Sequence, residues 1–167
     1  MPNNFYFYFL TALIPLVIGA LYYSPLLFNK SWMKANNFTD KDLEGANMAL
    51  IFGLSYVFGI FISFAISFMV VHQTSVFGMM MPEVMEKGST AENAFNSLMA
   101  TYGDKHRTFS HGAVHGTITA IFLIMPILAI NSLFERRGWK YVLIHTGYWL
   151  ITLALIGGVL SSLLVWG

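Results

Sequence analysis

The chain has 167 residues, of which 56% are hydrophobic and only 10% charged, a composition far from that of a soluble domain. A formal net charge of +1 offers no grip on nucleic acid or an acidic substrate. The lack of cysteine excludes disulfides, thiolate metal sites and cysteine nucleophiles.

Four stretches, 1–29, 45–82, 108–134 and 141–167, hold no Asp, Glu, Lys or Arg. Each can supply the roughly 20 apolar residues that one membrane-crossing helix needs. They are continuously apolar rather than alternating, so helices are the expected spanning form. The expectation is an all-α polytopic membrane protein, a single membrane domain over 1–167 with spans at about 5–28, 47–72, 110–134 and 141–165. The N-terminal MPNNFYFYFL lacks the basic region of a signal peptide and is read as the start of the first span. Pro15 and Pro126 fall within spans, where each removes one helical hydrogen bond and should kink its helix.

Between spans one and two, Thr39 followed by Asp40 and Asp42 reads as an N-cap with an acidic first turn. The second helix is therefore expected to begin before the membrane does. In loop 73–107, Ser89 and Glu92 make a capping-box pair. Behind them Ala91, Ala94, Phe95, Leu98 and Tyr102 share one face, and Gly103 closes the run. This predicts a short amphipathic helix on the membrane surface or on top of the bundle.

Lys30, Lys34, Lys41, Arg136, Arg137 and Lys140 lie on one side of the predicted spans, and Lys87, Lys105 and Arg107 on the other. The positive-inside bias puts loop 29–46 and turn 135–140 in the cytoplasm, with both termini and loop 73–107 outside the inner (plasma) membrane. Trp32 and Trp139 then fall at the inner interface, and Tyr6, Tyr8 and Trp166 at the outer one. Segments 27–34 and 133–140 are alike, which fits either a pair of parallel hairpins or the common habit of ending spans with aromatic and basic residues.

Helix packing in lipid relies on small residues. Ser55, Gly59, Ser63 and Ser67 form such a stripe in the second span. Gly112, Gly116 and Ala120 do so in the third, and Ala154, Gly158 and Ser162 in the fourth. The partners are in this chain or in another copy.

No carboxylate or basic side chain lies inside a span, so the ionisable candidates there are histidines. His111 and His115 are four residues apart and share a helix face, and His72 ends the second span on the same side. These three are the candidate metal ligands. His106 precedes the third span closely, while His145 belongs to the opposite end, about 30 Å away by helix rise. Met69, Met79, Met80, Met81, Met85 and Met99 are also on the outer side, and thioether with imidazole suits copper. The competing reading is that methionine fills space and that histidine at an interface hydrogen-bonds a neighbouring helix. No nucleophile elbow, Walker loop or dinucleotide glycine pattern is present, so no catalytic residue is assigned.

The run Gly19-Ala20-Leu21-Tyr22-Tyr23-Ser24-Pro25-Leu26-Leu27-Phe28, followed by Lys30, Trp32 and Met33, resembles the first-span signature of domain-of-unknown-function family 1761. The stretch from Leu133-Phe134-Glu135 to Ile144-His145-Thr146-Gly147-Tyr148 resembles that family's turn between the third and fourth spans. The resemblance implies a small bacterial four-span membrane protein and brings no activity, cofactor or catalytic residue with it. Loop 73–107 is longer than the family pattern leads one to expect.

The expectation for function is a non-enzymatic membrane protein embedded in the bilayer and packing with itself or with a larger membrane complex. The alternative is a protein that binds or transports a metal, copper or zinc, or a small solute, through the outer histidines and methionines.

Overall fold

A computed structural model describes residues 3–165; Trp166, placed in the outer aromatic belt above, lies outside them. The described residues are helical, in the order α1 (Tyr6–Thr11), α2 (Ile14–Tyr22), α3 (Asn29–Asn36), α4 (Met48–Val70), α5 (His72–Met79), α6 (Thr90–Tyr102), α7 (Phe109–Phe134) and α8 (Trp139–Leu163). Short 3₁₀ turns at Asp40–Leu43 and Glu83–Met85 lie in the connections. Three helices, α4, α7 and α8, are long and apolar enough to cross a membrane.

The expected first span is not one helix. It is broken between α1 and α2, and together they cover Tyr6–Tyr22, roughly 25 Å by helix rise against a hydrocarbon core of roughly 30 Å. Pro15 explains the break: its ring clashes with the carbonyl four residues earlier, that of Thr11, and α1 ends there. Pro126 acts differently. α7 runs through it unbroken, with a π-helical turn at Ala120–Ile124 just ahead. Proline cannot donate to the carbonyl of Phe122, and a π turn re-routes the neighbouring bonds.

Thr39 and Asp42 do form a capping box, with the Thr39 backbone N–H and hydroxyl both reaching Asp42 Oδ2 at 2.7 and 2.6 Å. Those two bonds hold the Asp42 carboxyl below the usual carboxylate range. The box caps only one turn: the chain is already extended at Glu44, and Gly45 follows with φ +74°. The spanning helix starts afresh at Met48, where Asn47 Oδ1 accepts from Leu50 N at 3.0 Å. The predicted surface helix is α6, capped by Ser89 Oγ on Glu92 N at 3.0 Å.

The core is a seam along α8. Leu153, Ile156, Leu160 and Leu164 are buried there against Ile66, Val70, Val71 and Ala120. The small-residue stripes are used within the chain. Gly59 lies against the Ala12 backbone, where a Cβ would overlap the Ala12 carbonyl. Ser63 accepts from Thr11 at 2.9 Å, and Ser67 from Tyr8 at 3.2 Å. A Cβ on Gly112 or Gly116 would overlap the carbonyl of Gly157 or Leu153. α4 is thus matched to α1–α2, and α7 to α8, by backbone proximity that only small residues permit.

Candidate metal centre

Two junctions build the site at the end of the bundle where α4 gives way to α5 and α7 begins. α4 stops at Val70, and buried Val71 turns the backbone, with φ −110° and ψ 89°, so that His72 opens α5. Thr108 caps α7, its Oγ1 accepting from His111 N at 3.2 Å. His111 and His115 then stand one turn apart on α7. Each is followed by one of the glycines that seat α7 on α8, so close packing on one side fixes the histidine face on the other.

These three histidines converge. One ligand nitrogen from each lies within 4.8 Å of the others, and the His72 and His111 Nε2 atoms are 2.9 Å apart. The ring centroids are separated by 5.1 Å (His72–His111), 5.2 Å (His72–His115) and 4.6 Å (His111–His115). Without a metal, the 2.9 Å contact is a hydrogen bond in which one neutral imidazole donates and the other accepts. Around a tetrahedral ion with Zn–N near 2.0–2.1 Å, ligand nitrogens stand about 3.3 Å apart. The 2.9 Å contact and the 4.8 Å limit bracket that value, so the spacing is compatible with three ligands to one ion.

Among the described residues no carboxylate is within ion-pair distance of these rings; Arg137 with Glu135 is the ion pair found there. Burial, with His115 and His106 beside it, holds the His72 imidazole below the ordinary histidine range. A neutral imidazole is the form that ligates.

Sequence spacing did not single out His106 as part of this group. It takes φ +63°, its carbonyl accepts from Ser161 at 3.1 Å, and its ring stacks on His111 at 4.8 Å. A hollow of about 430 Å³, lined by His106, Thr108, Ser110, His111 and Val114, opens beside it. The methionines do not gather here. Met79 and Met85 are 79% and 62% exposed, and Met99 lines a different cavity. The Met69 sulfur accepts from Thr119, one turn beyond His115.

His145 lies at the other end, as expected, within a polar-aromatic cluster. Asn36 uses its Oδ1 to accept from Arg137 at 2.8 Å, which leaves its amide nitrogen to donate to Trp32 O at 2.9 Å and to His145 Nε2 at 3.4 Å. With Nε2 accepting, the neutral ring carries its proton on Nδ1 and donates to the Tyr23 hydroxyl at 3.0 Å. Tyr22 and Tyr23 pack against Tyr148, and Trp139 is exposed outside the cluster.

A family model described as "Protein of unknown function (DUF1761)" matches residues 6–161. No curated protein and no solved structure matches the chain.

Proposed function

The chain belongs to the DUF1761 family, whose description carries no activity, and from its own geometry we propose that it is a multi-pass membrane protein that binds a divalent transition metal, zinc or copper, through His72, His111 and His115. The observation that carries this is the convergence of three imidazoles from two separate helices within 4.8 Å. Three neutral nitrogen donors leave a fourth position open for water or a transferred ligand. All-nitrogen ligation with the exposed methionines turned away favours Zn²⁺ or Cu²⁺ over Cu⁺. A non-enzymatic role, holding or passing on the ion, asks nothing further of the site.

The proposed architecture has four crossings. α1–α2 is short, but with its flanking residues it runs beside residues 145–165. At one end Asn3 N donates to Val165 O at 2.9 Å and Asn4 bonds Leu163 O and Val165 N. At the other end Tyr23 meets His145. Residues 145 to 165 span about 30 Å as helix, which supports a broken but complete first crossing. The lysine and arginine bias then supports both termini, and the histidine site, on the extracytoplasmic side of the inner membrane.

Elemental analysis of gently purified protein tests the proposal. The wild type should carry zinc or copper at one ion per chain, and the His111→Ala/His115→Ala variant none. Metal-free wild type that takes up neither ion on addition would end it. The reading that the protein packs with itself or a larger complex has less support, because the small-residue stripes that motivated it are occupied within the chain.

A further inference from the structure

A second feature shares the two backbone junctions of the histidine cluster but opens elsewhere. A cavity of about 590 Å³ lies between α6 and the C-terminal end of α8. Phe95 and Met99 of α6 and Val165 give it apolar walls, and Gln73, Asp104 and Arg107 give it polar ones. Gln73 follows His72, and Arg107 follows His106.

Two buried polar groups there lack a partner, and an exposed carboxylate, Asp104, lines the same cavity. Gln73 is only 6% exposed. Its Nε2 donates to Gly103 O at 2.6 Å and to Lys105 O at 3.4 Å, and its Oε1 has no partner. The amide cannot be turned over, because an oxygen facing two carbonyls would lose both bonds and add repulsion. The unpaired atom is therefore an acceptor. Arg107 uses Nη2 to donate to the carbonyl of Leu164 at the end of α8, while its buried Nη1 has no partner. Burial pushes its pKa down and Asp104 pushes it back up, yet no ion pair joins the two side chains. A guanidinium remains charged under any of these shifts. Burying such groups without partners is unfavourable, so a native structure normally supplies something that meets them.

The three demands differ in sign. Arg107 Nη1 asks for an anion, and Gln73 Oε1 and the Asp104 carboxylate ask for a donor, preferably a cation. The apolar walls ask for carbon. The end of α8 and the start of α7 place this cavity at the depth of lipid headgroups if the chain crosses the membrane as proposed.

We infer that the cavity binds a phosphoethanolamine zwitterion, its phosphate against Arg107 and its ammonium against Gln73 Oε1 and Asp104, with attached carbon along Phe95, Met99 and Val165. Phosphatidylethanolamine of the bilayer and free phosphoethanolamine are two sources of the same chemistry. The inference does not depend on the metal, since none of these three side chains is a proposed ligand.

The test is native mass spectrometry and equilibrium lipid exchange on the full chain, released from bilayers of defined composition. With phosphatidylethanolamine present, the wild type should retain one lipid per chain, at least ten-fold in preference to phosphatidylglycerol, which has no ammonium, or phosphatidylcholine, whose ammonium has no N–H. Asp104→Asn removes an exposed charge and leaves the fold intact, and it should erase most of the preference over phosphatidylglycerol. Arg107→Gln should lose retention altogether. Because Arg107 also caps α8, Gln73→Leu serves as a second variant, with at least a five-fold loss expected and helicity as the folding control. If free phosphoethanolamine binds in calorimetry and no lipid is retained, the chemistry stands and the source is the solute. Equal retention of all three lipids, or equal binding by wild type, Asp104→Asn and Gln73→Leu, overturns the inference. Retention that survives in the His111→Ala/His115→Ala variant, whatever its metal content, separates this site from the metal proposal.

Discussion

The two ends of this bundle treat polar side chains in opposite ways. At the end where α2 meets α8, His145, Tyr23, Asn36, Arg137 and Glu135 form a chain of hydrogen bonds and one ion pair, and Tyr148 closes on the Pro15 carbonyl at 2.9 Å. Among the described residues, what stays unpaired there is two hydroxyls, Ser24 and Thr146. At the opposite end histidines face other histidines, and a guanidinium nitrogen and an amide oxygen are left over. A network closed on itself rigidifies the fold. One that leaves strong donors and acceptors facing each other or a cavity has places for something else. The same residue type therefore reads differently at the two ends: His145 is a structural link, and His72, His111 and His115 are ligand candidates.

The widest effect should come from a change that disrupts both ends together. Leucine at Gly116 places side-chain atoms where the Leu153 carbonyl already is. Overpacking on that scale costs about 3 kcal/mol or more. Gly116→Leu should abolish the cooperative thermal transition and metal uptake alike. A folded Gly116→Leu protein would mean that the α7–α8 seam is looser than the backbone contact implies.

Next in size is the contrast between ends. His111→Ala/His115→Ala should take bound metal from one equivalent to none while shifting apo-protein stability by less than about 1 kcal/mol, since the His72 ring left behind is partly exposed and can bond water instead. Tyr23→Phe should do the reverse. It leaves the buried Nδ1–H of His145 without an acceptor, a loss of about 1–3 kcal/mol, and metal content should not change. Calorimetry and elemental analysis on the same samples read both. If Tyr23→Phe lost the metal, or the double variant lost the fold, the division of labour between the ends would be wrong.

The sequence was legible where composition and period carry the signal. Charge-free runs located α4, α7 and α8 within about two residues, and four-residue spacings of glycine and serine marked faces that are in fact closely packed. Capping chemistry located α6 through Ser89 and Glu92. His111 and His115 were readable as a pair because helical spacing alone brings them together. What was not legible depends on backbone breaks. Val71 redirects the chain so that His72 meets α7 and Gln73 meets Gly103, and no pattern around it announces the turn. His106 adopts a left-handed conformation with no glycine to signal it. Thr39 capped its turn as expected, yet extended Glu44 and left-handed Gly45 follow too early for a continuous helix. The Gln73–Arg107 cavity joins residues from four separate elements, and sequence separation hides such a meeting.

The smallest expected effect concerns acid. The His72 imidazole sits below its ordinary pKa because burial and its histidine neighbours disfavour the charged ring. In the unfolded chain the same ring takes up a proton near pH 6.5. Between these two values the unfolded state binds more protons, so apo-protein stability should be fully present above about pH 6.5 and should fall as pH drops toward the depressed value. His72→Asn removes that titration and should flatten the corresponding part of the curve. Because imidazoles must be neutral to ligate, acid should also release bound metal, and excess zinc should restore stability at pH 7 more than at pH 5.5. Thermal unfolding of wild type and His72→Asn across that range, with and without zinc, reads both effects. A His72→Asn curve parallel to the wild type would place this ring in solvent-like surroundings, and the histidine end would then resemble an ordinary wet interface rather than an unfinished site.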